Sequence, residues 1–437
     1  MKKIAPRGAL RKALRREFEK LASWIEENVV DKRCDRPDEL LRERAGETLR
    51  AALGKALSAR AERIGVGGEC SCGEPRRFRQ RCPFTLHTLL PGRDAKVRIP
   101  YGQCESCGRW SAPLLEELDC DAEGFMPALR DLGLLAAVVE PYDSASEGLL
   151  PRFAGVKVSK EKLQALVHEN GEKADQFIKR PIEHLPPIAT SSADQKQLYV
   201  GIDGGMIHVD KVWQEVKLGC VFKAEKRIVK GKDRGVLLDR EFVAARGDPL
   251  ALRKLLDPCV KRADGDERVV NVLGDGAKWI WNLAAEMFPE RREILDWYHV
   301  EEHVGLAAKL LHGETPEATS WREAQLTLLW DGKVDEVIES LEISLDENHP
   351  SGARTGAEDL LRYFENNRHR MDYKAYRAQG LLIGSGAVES AVKHVVQHRM
   401  KQSGMRWRAP GADAMLALRA IYRSTDAWDR FLEFRAA

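Results

Sequence analysis

Two short apolar runs, each ending in an aspartate set among glycines, constrain this chain more than anything else in it. The first is Leu198-Tyr199-Val200-Gly201-Ile202-Asp203-Gly204-Gly205, and the second is Val269-Val270-Asn271-Val272-Leu273-Gly274-Asp275-Gly276-Ala277. Val, Ile and Leu without polar alternation is the pattern of strands covered on both faces, in the middle of a sheet. Residues 206–210, 215–222 and 237–244 read as further strands with short connections. Residues 249 to about 262 read as a helix, and another opens at Ala277. Two such strands side by side bring their aspartates together, and paired carboxylates repel unless a divalent cation neutralises them. The pattern therefore points to Mg²⁺ or Mn²⁺ at Asp203 and Asp275. Taken singly each acid says little, since Gly274-Asp275-Gly276 alone also fits a phosphate loop or a hairpin.

A third carboxylate is expected from a helix near the end, in Leu382-Ile383-Gly384-Ser385-Gly386-Ala387-Val388-Glu389-Ser390. Val388, Val392, Val395 and Arg399 mark one face of that helix, with Ala391 beside it, a stripe suited to docking on a sheet. Glu389 lies at the edge of the stripe, and Lys393, four residues on, can pair with it or with a phosphate. Glu301, Glu302, Glu358, Asp359 and Glu365 also follow Asp275. Glu389 is preferred because a Gly-Ser-Gly turn precedes it and allows close approach.

Four of the nine cysteines fall in two tight pairs, Cys70/Cys72 and Cys104/Cys107, each followed by a glycine. Between them, residues 78–89 and 95–101 read as strands joined by Pro91-Gly92-Arg93. A hairpin there brings the pairs together as a four-thiolate Zn²⁺ site. The first pair is one residue shorter than the usual C-x2-C, and Cys82, in mid-strand, reads as packed. Residues 143–153, Gly155 and residues 159–169 read as helix, turn, helix, with Ser159 as N-cap. That arrangement can present a helix to the major groove, or it can be an ordinary helical hairpin.

Charged residues make up 32% of the chain, yet the net charge is only +2, so composition does not announce a nucleic-acid binder and only local clusters can. One is Lys2, Lys3, Arg7, Arg11, Lys12, Arg15 and Arg16, for which a solvated helix face and DNA contact stand level. Another is Lys393, His394, His398, Arg399, Lys401, Arg406, Trp407 and Arg408, which suits a DNA backbone. Trp279, Trp281 and Trp297 read as core residues. No apolar stretch approaches the ~18 residues of a membrane helix, and the basic N-terminus lacks the apolar core of a secretory signal. The expected organisation is a basic helical region (1–66), a zinc ribbon (67–119), a helix-turn-helix-like region and linker (120–190), and an α/β domain (191–430). A helical stretch runs to Gly380, followed by one long helix and a tail.

The chain resembles DDE transposases of the ISKra-type insertion-sequence family and, more loosely, the Mutator-like group. The resemblance rests on Gly201-Ile202-Asp203-Gly204-Gly205; Gly274-Asp275-Gly276-Ala277-Lys278-Trp279-Ile280; Asp296-Trp297-Tyr298-His299; Gly384-Ser385-Gly386-Ala387-Val388-Glu389-Ser390; and Lys401-Gln402-Ser403-Gly404-Met405-Arg406-Trp407. It implies a multidomain α/β chain whose RNase H-like mixed-sheet core carries a helical insertion at about 300–380. Asp203, Asp275 and Glu389 would hold Mg²⁺, and Asp296 and His299 would form a D-x-x-H element. His299 would contact the scissile phosphate or carry a proton, or else Asp296 and His299 only tie strand to helix. The implied partner is double-stranded DNA, at element ends and target. The protein would act as a homo-oligomer on DNA, in the cytoplasm at the nucleoid and away from any membrane. The shortened first knuckle and Pro113-Leu114-Leu115 depart from the family pattern. A nuclease or resolvase would share the acids without joining strands, and a domesticated DNA-binding protein would keep the ribbon without catalysis.

Overall fold

A long antiparallel hairpin organises residues 1–167, one of two compact units into which the chain divides; residues 168–437 form the other. The structure, a computed structural model, describes residues 7–33, 35–181, 197–229, 232–263, 269–346, 351–384 and 386–436. Lys2, Lys3, Ser385 and most of the expected linker lie outside the described residues, as do the side chains of Val388 and Glu389.

In the first unit, α1 (Arg7–Ile25) is followed by α2 (Pro37–Ile64), which starts on a proline, as a first helical turn allows. Strands β1 (Arg76–His87), β2 (Asp94–Cys104) and β3 (Trp110–Ser111) form an antiparallel sheet in that order. Ala61 of α2 packs with Leu86, Ala95, Val97, Ile99 and Leu114 in one apolar core. Gly54 lets α2 close on this hairpin, since a Cβ there would collide with the Lys96 carbonyl. Short α3 (Pro113–Glu117) and α4 (Pro127–Val139) follow. A helix of wide, π-type turns, Ser144–Ala154, then ends on Gly155 at φ 70°.

Helix α5 (Lys160–Lys179) begins as expected, with the Ser159 hydroxyl accepting from the Lys162 N–H at 3.2 Å. It runs ten residues beyond the expected 159–169, and its second half belongs to the second unit. There Gly171 abuts Ala414, and Phe177 meets Phe431 and Phe434 edge-on at 5.6 and 5.5 Å. The division between the two compact units falls inside this helix, between Val167 and His168.

The second unit is built on a five-stranded mixed sheet of order β6-β5-β4-β7-β8. Strands β4 (Gln197–Val209), β5 (Val212–Val229) and β6 (Lys232–Arg246) form an antiparallel meander. Asp210 and Lys211, both at positive φ, make the two-residue turn between β4 and β5. Strands β7 (Val270–Gly274) and β8 (Arg291–Leu295) continue the sheet parallel to β4. Two separate strands were expected on either side of Gly204-Gly205, but β4 is unbroken. Gly204 and Gly205 stay paired with Lys217 and Val216, and Gly205 makes room for Val392 of an overlying helix.

Helix α6 (Pro249–Arg262) starts where expected, its N-terminus capped by Asp248, which accepts from the Ala251 N–H at 3.0 Å. It packs on β5 through Gly219, and α7 (Lys278–Met287) packs on β7 through Gly274, where a Cβ would meet Ile280 and Trp281. The expected helical stretch is α8 (Trp297–His312), α9 (Pro316–Trp330), α10 (Val334–Asp346), α11 (Ser351–Asn367) and α12 (Tyr373–Ala378). Helix α13 (Gly386–Ala391) then continues without a break through wide turns at Val392–Gln397 into α14 (His398–Met400). The wide turns have a cause. Buried Arg419 donates to the carbonyls of His394 and Val395, which an ordinary α-helical ladder would have used.

What was expected to be a tail is two further helices, α15 (Ala409–Arg423) and α16 (Ala427–Ala436). The polar break at Lys401–Arg408 hid them, although Ala412, Met415, Leu416 and Leu418 are all buried. Among the described residues, no helix is long and apolar enough to cross a membrane.

Candidate metal centres

The hairpin register sets Arg76 opposite Cys104, which carries the loop holding Cys70 and Cys72 onto the turn holding Cys104 and Cys107. Gly73 (φ 88°) and Gly108 (φ 70°) close the two knuckles in a conformation that only glycine adopts freely. Their N–H groups donate to the carbonyls of Cys70 (2.8 Å) and Cys104 (3.0 Å). The sulfurs of Cys70 and Cys107 lie 3.6 Å apart, those of Cys72 and Cys104 3.5 Å apart, and all four fall within 4.8 Å of one another. A tetrahedron of thiolates with Zn–S bonds of about 2.3 Å has edges of about 3.8 Å, so the four side chains fit a zinc ion without rearrangement.

Electrostatics agree with metal binding. The backbone N–H of Cys72 is the main cause that brings the Cys70 thiol down to about 6, and that of Cys107 likewise lowers Cys104. At Cys72 a backbone N–H pulls the same way, but the three neighbouring thiols overcome it and push that thiol up to about 11. Four thiolates cannot coexist so closely without a cation. In the shortened first knuckle the backbone N–H groups of Cys72 and Glu74 serve the sulfurs of Cys70 and Cys72. Cys107→Ser is expected to leave well under half of the roughly one zinc per chain of the wild type, because a structural zinc contributes folding energy directly. Elemental analysis of chelator-free preparations checks this, and undiminished zinc in the variant would exclude Cys107 as a ligand.

The second constellation lies on the five-stranded sheet. Strands β4 and β7 pair in parallel, Gly201 opposite Leu273, and continuing that register by two residues sets Asp203 opposite Asp275. Strands β7 and β8 pair Gly274 with Leu295, so one step further sets Asp275 opposite Asp296. The continued register thus lines up three acids, Asp203 within β4 and Asp275 and Asp296 each one residue past the end of β7 and β8. Asp203 is not at the end of β4, as expected, but where the pairing of β4 with β7 stops.

Each carboxylate is held by a backbone N–H just after it: Asp203 by Gly204 at 2.6 Å, Asp275 by Ala277 at 2.9 Å, Asp296 by Tyr298 at 2.8 Å. Asp203 and Asp296 are 9% and 2% exposed. Burial is the main cause that pushes the Asp203 carboxyl up to about 6. The Gly204 N–H opposes it, the Asp275 charge adds to it, and His299 and Asp296 contribute in opposite senses. His299, on the first turn of α8, is therefore within electrostatic reach of Asp203, and its Nδ1 lies 3.8 Å from Glu302.

Residues that sequence reasoning assigned to an insertion also close on this spot. The Tyr363 hydroxyl donates to the Asp275 carbonyl at 2.9 Å, and His303 stacks on the Tyr363 ring at 4.1 Å. Gly276, at φ 102°, leaves the space that Tyr363 and Asn367 occupy. Nothing in the local sequence of α11 marks Tyr363, because only the tertiary packing of α11 on α8 brings it there.

Glu389 sits on α13, and the loop before that helix is pinned at the same end of the sheet. The Leu382 N–H donates to the Tyr199 hydroxyl at 3.0 Å, and the Trp297 N–H to the Ile383 carbonyl at 2.9 Å. Among the described residues, the four cysteines form the only group of three or more such ligand atoms drawn this closely together. Asp203 and Asp275 are therefore not drawn together with a third ligand residue into a closed cage.

Of the basic residues expected to face DNA, Lys393, Lys401, Arg406 and Arg408 are exposed. Arg399 is not: it is 1% exposed, with its guanidinium 5.3 Å above the Trp407 ring, so it belongs to the packing between helices. Its place in the stripe with Val392 and Val395 already put it on the docking face. Trp281 is buried as expected, and Trp297 packs edge-on against Tyr373 at 4.9 Å.

These features define an α/β protein with a four-cysteine cluster in its first unit and acids at the paired ends of a mixed sheet. The chain belongs to the uncharacterised protein family UPF0236, whose profile matches residues 94–432. The match takes in Cys104, Cys107, the three strand acids and Glu389, and leaves Cys70 and Cys72 outside. No curated protein matches the chain.

Proposed function

We propose that this chain is a DNA transposase of the DDE type, with an RNase H-like core and a zinc ribbon before it. One observation carries the reading. Asp203 on β4 and Asp275, the residue after β7, fall opposite one another when the parallel β4–β7 register is continued by two residues, and the helix that bears Glu389 docks on β4 through Val392. The sheet supports it as well, since a three-stranded antiparallel meander continued by two parallel strands is what an RNase H-like core calls for.

Asp203 and Asp275 would hold Mg²⁺ or Mn²⁺, and the N–H groups of Gly204 and Ala277 fix the direction in which their carboxylates point. When bound, divalent ions supply activation of the attacking water or 3′-OH and stabilise the leaving oxygen in an in-line displacement at phosphorus. The same residues can then serve hydrolysis at an element's ends and transesterification into target DNA. His299 would contact the phosphate or carry a proton. Lys393, Lys401, Arg406 and Arg408 would follow the backbone, giving salt-dependent binding.

The test is direct. The full chain, incubated with Mg²⁺ and a duplex carrying the DNA that flanks its own gene, is expected to yield both nicked and joined products. Nicking without joining would leave a nuclease in place of a transposase, and binding without either product would leave a non-catalytic DNA-binding protein.

A further inference from the structure

A second concentration of charge in residues 168–437 lies away from the acids. A cavity of about 320 Å³ opens beside β5, β6 and the end of α6, at the small end of the ~300–1,000 Å³ range of ligand pockets. Arg180, Lys223 and Arg262 line it and are each only 7% exposed, and Arg240 and Arg430 stand at its rim. Against these five cations it holds three acids, Asp239, Glu241 and Asp426.

The buried cations are not equally provided for. Arg262 is fully engaged, by both oxygens of Glu241, by the Arg180 carbonyl at 2.9 Å and by the Cys259 sulfur at 3.1 Å. Arg180 has no carboxylate among the described residues. One nitrogen donates to the Phe177 carbonyl at 2.5 Å, and the guanidinium lies 3.7 Å above the Phe177 ring. Burial is the main cause that brings this guanidinium down to about 10, and the charges of Arg262 and Arg430 add to it while Glu241 opposes. A buried cation with no carboxylate bonded to it among the described residues is costly, and an anion entering the cavity would offset that cost.

We infer that this cavity is a phosphate-binding site, taking a phosphate monoester or phosphodiester group between Arg180 and Arg430. The planar guanidinium fork suits phosphate oxygens, and several cations around one hollow suit an anion of more than one charge. Ser424, Thr425 and Asp426 lead into the N-terminus of α16 at the same cavity, the end of a helix that favours negative charge. The site is not part of the acid row. Lys223 pairs with Leu198, five residues before Asp203 on β4, which is about 17 Å along the strand. Neither the zinc cluster nor the transposase reading is needed for it.

The phosphate can come from free solution or from a nucleic-acid backbone, and one set of titrations separates the two. Inorganic phosphate and pyrophosphate are titrated into the full chain without Mg²⁺, followed by calorimetry and melting temperature. Arg430→Ala, which removes an exposed side chain, is expected to weaken phosphate binding about tenfold, and Arg180→Gln to weaken it further. Arg253→Ala, a half-buried arginine of α6 that pairs with Glu286 outside the cavity, serves as the control and is expected to leave phosphate affinity unchanged. If Arg180→Gln fails to fold, Arg430→Ala still decides. If a duplex displaces phosphate, and Arg430→Ala weakens duplex binding by a similar factor, the backbone is the ligand. If phosphate stays bound beside the duplex, the ligand is a free anion. Absence of phosphate binding up to about 10 mM, or equal affinity in wild type and Arg430→Ala, overturns the site.

Discussion

Asp203→Asn or Asp275→Asn is expected to abolish Mg²⁺-dependent strand cleavage while leaving duplex binding within a few-fold. Bound divalent ions supply several kcal/mol of charge stabilisation in the transition state, so losing a ligand costs about 10³-fold or more. On the proposed reading, binding would rest on phosphate contacts made elsewhere, by side chains such as Lys401 and Arg406, which neither substitution touches. A single-turnover assay on the element-end duplex reads cleavage, and a gel shift reads binding. Wild-type cleavage in either variant would remove the acid pair from the mechanism.

The same substitution has an opposite effect on the metal-free fold. With the Asp203 carboxyl up at about 6 through burial and the nearby Asp275 charge, ionising it costs stability that the unfolded chain, at about 3.9, does not lose. That cost is absent below about pH 4, grows as pH rises towards the folded value and is complete above it. Asp203→Asn removes it. Without metal, the variant should be more stable than wild type at about pH 7.5, by on the order of 1–2 kcal/mol, and equal to it at about pH 4. Mg²⁺ should stabilise the wild type and not the variant. Loss of stability at both pH values would mean that Asp203 is a structural acid.

Much of this site could be read before folding, for reasons that differ residue by residue. Asp203 and Asp275 stand out because buried strands leave few polar residues except where one is used, and the helix read from residue 249 begins there, where the structure shows Asp248 capping it. The knuckles at Cys70 and Cys104 were legible because glycine at positive φ is a local requirement. What could not be read depends on partners far apart in sequence. Gly204-Gly205 looks like a break, but the strand runs on because β5 pairs with it and a helix needs the space. Arg399 looks like a charge for DNA, yet it is 1% exposed inside the helical layer, and Arg419, equally buried, serves the carbonyls of a widened turn. Asp296 read as part of a four-residue element, and only the β7–β8 register reveals it as the third acid in a row.

That row gives Glu389 a competitor, and the final prediction separates them. Asp296 caps α8 by accepting from the Tyr298 N–H, a task that asparagine performs equally well. Asp296→Asn therefore keeps the cap and removes only the charge. If Asp296 is a cap alone, the variant should cut within a few-fold of wild type. Glu389 stands on α13 three residues, about one helical turn, before Val392, whose side chain occupies the space left by Gly205 on β4, two residues past Asp203. The loop before the helix is held by Tyr199 and Trp297, so the placement is fixed at both ends. Glu389→Gln is accordingly expected to remove Mg²⁺-dependent cleavage. Glu389→Asp should do nearly as badly, because one methylene moves the carboxylate by about 1 Å, enough to cost on the order of 10²-fold. Glu358, exposed on α11, is the control, and Glu358→Gln should leave cleavage intact. Glu302→Gln should cost a few-fold at most, through its 3.8 Å contact with His299. Cleavage that survives Glu389→Gln but not Asp296→Asn would move the third ligand from the helix to the strand row, and with it the side of the sheet on which DNA must lie.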